Sequence, residues 1–426
     1  MIQFLKFIKN TVLLFVLILI SCGSGQEPKA RKPLSVKSIT QDSLNILKEE
    51  QKIIVGANQS EKYLSLLKGK NVGVVANQTS VIFKQVVSSQ ISQNDKHIHL
   101  VDSLLALNIS VKKVFAPEHG FRGTADAGEL VKDGIDNKTG LPIISLYGKN
   151  KKPFPEQLEN LDIVVFDIQD VGVRFYTYIS TLHYIMEACA ENNIPVLILD
   201  RPNPNSHFID GPILELEHKS FVGMHPVPVV HGMTIGEYAQ MINGEGWLNN
   251  GITCDITVIP IDNYNHNKKY SLPIKPSPNL PNDKAINLYP SLCFFEGTYV
   301  SVGRGTDKQF QIIGTPYKSL HSFAFTPQPN EGAKHPKHDG KLCKGINLEN
   351  IKYLNEINLE WLIQFYEISK QTPDKPFFNT FFTKLAGTEK LQKQIELGFT
   401  AKEIKTTWKD DINKFKLIRS KYLIYN

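Results

Sequence analysis

A carboxylate, a histidine and an arginine fall close together at Glu118, His119 and Arg122, in the stretch Val114-Phe-Ala-Pro-Glu-His-Gly-Phe-Arg-Gly-Thr-Ala-Asp-Ala-Gly-Glu129. Asp126 and Glu129 extend the set along a loop that carries three glycines. The stretch begins as the end of the apolar run Val111 to Ala116 and breaks at Pro117. Ionisable groups just past the end of a buried strand are where open α/β sheets keep their sites. A carboxylic acid can protonate a leaving oxygen only if it holds its proton near neutral pH, which apolar surroundings promote. Phe115, Ala116, Pro117 and Phe121 offer that setting to Glu118. The plainer alternative is a turn in which Glu118 accepts backbone N–H groups.

A second loop of the same kind runs from Asp167 to Arg174. Asp167 and Asp170 flank Gln169, and alternation along an extended segment puts Asp167 and Gln169 on one face and Asp170 on the other. A helix cap with an ion pair to Arg174 is the structural alternative for the two aspartates. Arg174 and Arg304 suit carboxylate recognition, because the guanidinium fork binds two oxygens at once. Tyr176, Tyr178 and Tyr299 offer faces on which a sugar could stack, or else core. His119 and His231 are acid–base candidates or ring donors. His97 with His99, and His335 with His338, invite a metal reading. Both pairs lie in polar segments without a carboxylate cluster, so no metal is expected. No Gly-x-Ser-x-Gly is present, which argues against a serine hydrolase.

The elements that must position these groups follow from hydrophobic pattern. Continuous apolar runs bounded by turn formers, at Val72 to Ala76, Val111 to Ala116, Pro142 to Leu146, Asp162 to Ile168 and Ile194 to Leu199, read as strands buried on both faces. Helices are expected around Leu64 to Leu67, over His99 to Leu107 and over Ser180 to Asn192. Thr234, with Glu237 three residues on, caps a helix running to Trp247. Cys254 to Ile261 reads as a strand. Lys275 to Asn282, with three prolines, must be an extended loop. Tyr289 to Phe295 leads into Glu296-Gly-Thr-Tyr-Val-Ser-Val-Gly-Arg-Gly-Thr306, a second glycine-rich loop, and after Lys344 the pattern is mostly helical. Strand alternating with helix implies a parallel sheet covered on both faces. No Gly-x-Gly-x-x-Gly follows the first strand, so no dinucleotide cofactor is expected. The fold class is α/β: a Rossmann-like catalytic domain over 51–210 and a smaller α+β C-terminal domain over 211–426, with the site in a cleft between them.

The ends and totals bound the rest. Lys6, Lys9 and the apolar run Thr11 to Ile20 form a signal peptide over 1–21. Its end, Leu19-Ile20-Ser21-Cys22, resembles a bacterial lipobox, so Cys22 is the expected lipidation site, 22–50 a tether and the location the bacterial cell envelope. A net charge of +6 over 426 residues, with C-terminal lysines interleaved among acids, excludes a nucleic-acid stripe. No Cys-x-x-Cys occurs among Cys189, Cys254, Cys293 and Cys343.

Six blocks together carry a resemblance: Val72-Gly-Val-Val-Ala-Asn-Gln-Thr79, Ala116-Pro-Glu-His-Gly-Phe-Arg-Gly123, Asp167-Ile-Gln-Asp-Val-Gly-Val-Arg-Phe-Tyr-Thr-Tyr178, Leu199-Asp-Arg-Pro-Asn-Pro204, His231-Gly-Met-Thr-Ile-Gly-Glu237 and Glu296 to Thr306. They resemble the exo-β-N-acetylmuramidases from about residue 53 to the C-terminus. Gln309 departs from the pattern, where proline is expected after the Arg-Gly-Thr turn. The resemblance implies an enzyme that releases N-acetylmuramic acid from the non-reducing end of peptidoglycan fragments, with Glu118 as catalytic acid. Asp170 is the expected second carboxylate, with Asp126 and Glu129 as the next candidates, and His119 a helper. Asn77, Arg122, Asp126, Glu129, Asp167, Gln169, Arg174, Tyr176, Arg201, His231, Glu296 and Arg304 are expected to contact substrate. Two other readings stand beside it: a muropeptide-binding lipoprotein without activity, and an esterase or amidase acting on wall fragments.

Overall fold

The protein, seen in a computed structural model, is described over residues 52–84, 97–123, 132–371 and 374–425. The strands in chain order are β1 (Asn71–Ala76), β2 (Val81–Phe83), β3 (His97–His99), β4 (Ser110–Ala116), β5 (Gly134–Ile135), β6 (Pro142–Ser145), β7 (Ile163–Asp167), β8 (Val196–Leu199), β9 (Ile256–Ile259), β10 (Ile312–Thr315), β11 (Phe323–Phe325) and β12 (Cys343–Asn347). The helices are α1 (Ser60–Leu67), α2 (Leu100–Ala106), α3 (Pro155–Leu158), α4 (Tyr178–Glu191), α5 (Ile235–Gly244), α6 (Asp283–Leu292), α7 (Glu360–Ser369), α8 (Phe382–Ala386), α9 (Lys390–Glu396), α10 (Ala401–Thr406) and α11 (Lys409–Arg419).

The main sheet runs β5-β6-β4-β1-β7-β8-β9. Every neighbouring pair is parallel except the edge pair β5–β6. The six parallel strands, taken in the order they occur, read 3-2-1-4-5-6, the doubly wound order that reverses direction between β1 and β7. Each apolar run supplies two faces. In β7, Val164 and Phe166 pack in the cluster that holds α4 and α5, while Ile163 and Val165 pack in the cluster that holds α1 and α2. Val196 and Ile198 against Leu197 and Leu199 divide β8 in the same way. That double burial explains why these strands are apolar without alternation.

The expected capping box closes: Thr234 N–H donates to Glu237 Oε2 at 3.0 Å, and Glu237 N–H donates to Thr234 Oγ1 at 3.3 Å. The helix it starts ends at Gly244, before Trp247. The apolar stretch Tyr289 to Phe295 proves helical, as the end of α6 and a 3₁₀ turn over Cys293–Gly297. Residues beyond 310 build a three-stranded antiparallel sheet, β10-β12-β11, and the C-terminal helices. The main sheet does not stop at residue 210, because β9 joins it alongside β8.

The last residues return to this sheet. Tyr425 donates its hydroxyl to Asp200 Oδ2 at 2.7 Å and accepts the Ile261 N–H at 2.8 Å. Asp200, at the end of β8, also accepts from Thr234 Oγ1 at 2.7 Å and Gly236 N at 2.9 Å. Glu237 Oε1 accepts from Ile424 N at 2.9 Å and lies 3.0 Å from His266 Nε2. Substituting Tyr425→Phe removes a donor and an acceptor from buried partners. It is expected to lower unfolding stability by about 1–3 kcal/mol, read as a lower urea midpoint with unchanged slope.

Candidate functional site

The site is assembled where parallel strands end. Residues just past β1, β4, β6 and β7 are Asn77, Glu118, Tyr147 and the Gln169–Asp170 pair. Beyond β4 the chain turns at once: His119 has φ 72° and Gly120 φ 77°, and Gly120 N–H donates to Pro117 O at 3.0 Å. A left-handed histidine costs on the order of 1 kcal/mol. It is held with its ring buried, while the neighbouring Glu118 side chain is half-buried. Thr177 Oγ1 donates to Glu118 Oε2 at 2.7 Å. Burial first, then the Glu118 carboxylate, raises the pKa of the Tyr147 phenol.

The glycine-rich loop carries a second charged pair. Glu296 ends the 3₁₀ turn after α6, and Arg304 stands between two left-handed glycines, Gly303 at φ 78° and Gly305 at φ 81°. Arg304 Nη1 lies 3.8 Å from Glu296 Oε2, with both side chains about a quarter exposed. A Cβ at Gly305 would meet Pro336 at 2.6 Å, so this turn packs directly on the segment bearing Lys337. Lys337 Nζ donates to the carbonyls of Phe295, Thr298 and Val300 at 3.1, 2.6 and 3.1 Å. Burial pulls its pKa down, opposed by the Glu296 charge. Burial raises the Tyr289 phenol pKa most, followed by Cys293, and the charges of both Glu118 and Glu296 add to the rise.

Four of the expected residues therefore meet here: Glu118, Glu296, Arg304 and Tyr176. Tyr176 is a wall and no sugar platform, since its ring packs edge-on to Tyr178 at 4.8 Å and its hydroxyl donates to Pro276 O at 2.9 Å. His119 is carried on the same turn.

Several other expectations are corrected. Arg174 is fully buried and reads no ligand: its guanidinium donates to the carbonyls of Pro212, Val227, Leu385 and Ala386 at 2.7, 2.8, 3.0 and 2.7 Å. Asp167 and Arg201 consume each other in a buried fork at 2.6 and 2.9 Å. Gln169 braces the Asp170 and Pro202 carbonyls, and Asn77 holds the Tyr178 hydroxyl at 2.8 Å. His231 is a core ring whose Nδ1 accepts the Met233 N–H at 3.2 Å; burial drives its pKa down to about 3. Arg122 is held by Asp136 at 2.7 and 2.9 Å and by Asp102 at 3.2 Å, beside a separate hollow of about 380 Å³ that also takes in Lys138 and His97. Asp126, Glu129 and Cys22 lie outside the described residues.

Asp170 is 5% exposed. Its Oδ2 accepts the Gly172 N–H at 2.6 Å, and its Oδ1 is buried without a hydrogen-bond partner. Burial pushes its pKa up to about 7. Such a group stands behind the tyrosine wall and does not present a carboxylate to a cleft.

Tyr147, Thr177, Tyr289 and Lys337 were missed from sequence. Tyr147 follows an expected strand end, the same signal that marks Glu118. Thr177 lies inside the Asp167–Tyr178 block. Lys337 sits between two histidines that drew attention only as metal ligands.

Fold and site together define a doubly wound α/β protein with a glutamate-centred cleft, a class suited to protonating a leaving group. Family models for the N-terminal and C-terminal parts of the exo-β-N-acetylmuramidase NamZ match residues 72–284 and 287–425. The chain belongs to that family. It is 38% identical over 420 residues to the peptidoglycan β-N-acetylmuramidase NamZ of Bacillus subtilis (strain 168), covering 92% of this chain and 96% of that protein. Two crystal structures of DUF1343 family proteins from Bacteroides fragilis NCTC 9343 share the fold. One is 46% identical with a TM-score of 0.78 and the other 27% identical with a TM-score of 0.74; each covers 88% of this chain and is itself 99% covered.

The state of Asp170 gives a test. A carboxyl whose folded pKa lies above its unfolded value keeps its proton in the fold after the unfolded chain has lost it. Its stabilising contribution is therefore present below about pH 4 and lost as pH rises to about 7. Asp170→Asn is expected to gain stability relative to wild type across that window, by at most about 1.4 kcal/mol per pH unit, and to level off above it. Denaturant unfolding of both proteins from pH 4 to 8 measures this. A flat difference overturns the assignment.

Proposed function

We propose that the protein is an exo-acting β-N-acetylmuramidase that removes N-acetylmuramic acid from the non-reducing end of peptidoglycan fragments, with Glu118 as its general acid. The observation that carries this reading is the setting of Glu118: a half-buried carboxyl at a strand end, accepting from Thr177 Oγ1 at 2.7 Å and close enough to Tyr147 to raise its pKa. Family membership and the activity named for the Bacillus subtilis relative agree with it.

Glycoside hydrolysis asks for a proton on the departing oxygen and a second carboxyl at the anomeric carbon. Glu118 delivers the proton. The Thr177 hydroxyl fixes its rotamer and stabilises the carboxylate left behind. Glu296 takes the second role in place of Asp170, because its side chain is about a quarter exposed beside Arg304, whereas Asp170 is buried. Arg304 reads the lactyl carboxylate, which N-acetylmuramic acid has and N-acetylglucosamine lacks. Lys337 holds the bend that carries Glu296 by donating to three of its carbonyls.

On a chromogenic β-N-acetylmuraminide, Glu118→Gln is expected to lower kcat by about 10²–10⁴-fold with the fold intact by circular dichroism. Glu296→Gln should fall in the same range, and Arg304→Met should act mainly on KM, raising it by about tenfold. Turnover that survives Glu118→Gln sinks the assignment of the acid.

The lipobox-like Cys22 extends the reading to a lipid-anchored enzyme of the bacterial envelope. Metabolic labelling with a radioactive fatty acid is expected to mark the wild-type protein and not Cys22→Ser; equal labelling of both rejects the anchor.

A further inference from the structure

The hollow of about 380 Å³ beside Arg122 opens past the carboxyl ends of β1 and β4, the same end of the sheet as the cleft. Gln78 links the two. It lines the hollow, and its amide donates to Pro276 O at 3.0 Å, the carbonyl that also takes the Tyr176 hydroxyl on the cleft floor. Arg122 lies four residues after Glu118, so their Cα atoms are at most about 14 Å apart.

The hollow presents donors that are positioned but not consumed. Arg122 gives Nε and Nη2 to Asp136 at 2.9 and 2.7 Å and Nη2 again to Asp102 at 3.2 Å, and these two acids fix its plane. Its Nη1 has no hydrogen-bond partner among the described residues, on a side chain that is 33% exposed. Lys138 gives one donor to Asp102 Oδ2 at 2.6 Å and is 65% exposed. Lys84 is exposed, and neither it nor the half-buried His97 ring has a hydrogen-bond partner among the described residues. Three cations thus face two carboxylates, which leaves one positive charge over. That balance suits a single carboxylate better than a dianionic phosphate. Val81 and Ile98 add an apolar strip to the lining, where a methyl group can rest.

We propose that this hollow is a distal subsite of the cleft, which takes the lactyl carboxylate of the second N-acetylmuramic residue counted from the non-reducing end. Arg122 Nη1, Lys84 and Lys138 receive the carboxylate, His97 meets a ring hydroxyl or the acetamido group, and Val81 with Ile98 covers the lactyl methyl. The glycan alternates its two sugars, so the next such carboxylate always lies two sugars on, across Gln78 from the first. The identity of the glycan rests on the reading of the cleft given above. The consequence is a preference for tetrasaccharides and longer chains over the disaccharide.

The test is a calorimetric titration of the full chain carrying Glu118→Gln with the tetrasaccharide and with the disaccharide, each beginning with N-acetylmuramic acid. The tetrasaccharide is expected to bind about tenfold more tightly. Lys84→Glu, at the surface, should remove that gain when added to the same chain. So should a tetrasaccharide whose second lactyl carboxylate is a primary amide, whereas Lys84→Arg should keep it. Equal binding of the two sugars overturns the proposal, as does a gain that survives either Lys84→Glu or the amide. With Glu118 intact, the ratio of kcat/KM for tetrasaccharide over disaccharide should fall about tenfold in Lys84→Glu. A protein that hydrolyses the chromogenic muraminide but shows no gain loses the subsite alone. One that hydrolyses no muraminide loses the reading of the cleft, and the binding gain then decides the subsite.

Discussion

One buried cation holds the parts of this molecule in register. Arg174 has no solvent exposure, and its two terminal nitrogens donate to four backbone carbonyls drawn from two distant stretches, Pro212 and Val227 on one side and Leu385 and Ala386 on the other. Two of those carbonyls are the last of α8, where a positive charge also meets the favourable end of the helix dipole. Gly387, just beyond, has φ 71°, and a Cβ there would lie 2.7 Å from the guanidinium, so even the helix stop is shaped around this side chain. Burial draws the Arg174 pKa down to about 9, which leaves it charged at neutral pH. Truncating it would strand four carbonyls in the interior. Because Thr177 lies three residues on, the same anchor fixes the segment that grips Glu118.

The cleft follows from two unrelated solutions to one problem, the exact placement of a carboxyl. On the sheet side a parallel strand ends and a tight turn presents Glu118, so precision comes from the rigidity of β4 and a strained histidine. On the other side Glu296 has no strand behind it. Its bend is held by Lys337, whose ammonium replaces the regular hydrogen bonds that the irregular backbone over 295–300 lacks. Tyr176 and Tyr178 close the floor by donating to Pro276 O, which is how the proline-rich loop contributes although it has no regular structure.

What was legible in the sequence was local. The run Ile163 to Asp167 announces a strand buried on both faces, the Thr234–Glu237 spacing announces a cap, and Pro117 after an apolar run announces the turn that exposes Glu118. What was not legible was pairing across distance. Asp167 and Arg201, 34 residues apart, looked like two site groups and are one internal ion pair. Arg174 and His231 were read as functional because sequence displays their chemistry and hides their burial. Asp170 is hidden in the same way, at 5% exposure. The sheet's extent was underestimated because β9 arrives after a long irregular excursion, with nothing nearby to announce that it pairs with β8.

The return of Tyr425 to Asp200 imposes an order on synthesis. The sheet of an N-terminal doubly wound domain can ordinarily be completed while later segments are still being made. Here the carboxylate at the end of β8 takes its hydroxyl from Tyr425, 225 residues on, and Glu237 takes a backbone N–H from Ile424, 187 residues on. The first-made half is therefore closed only after the segment around residue 424 has been made.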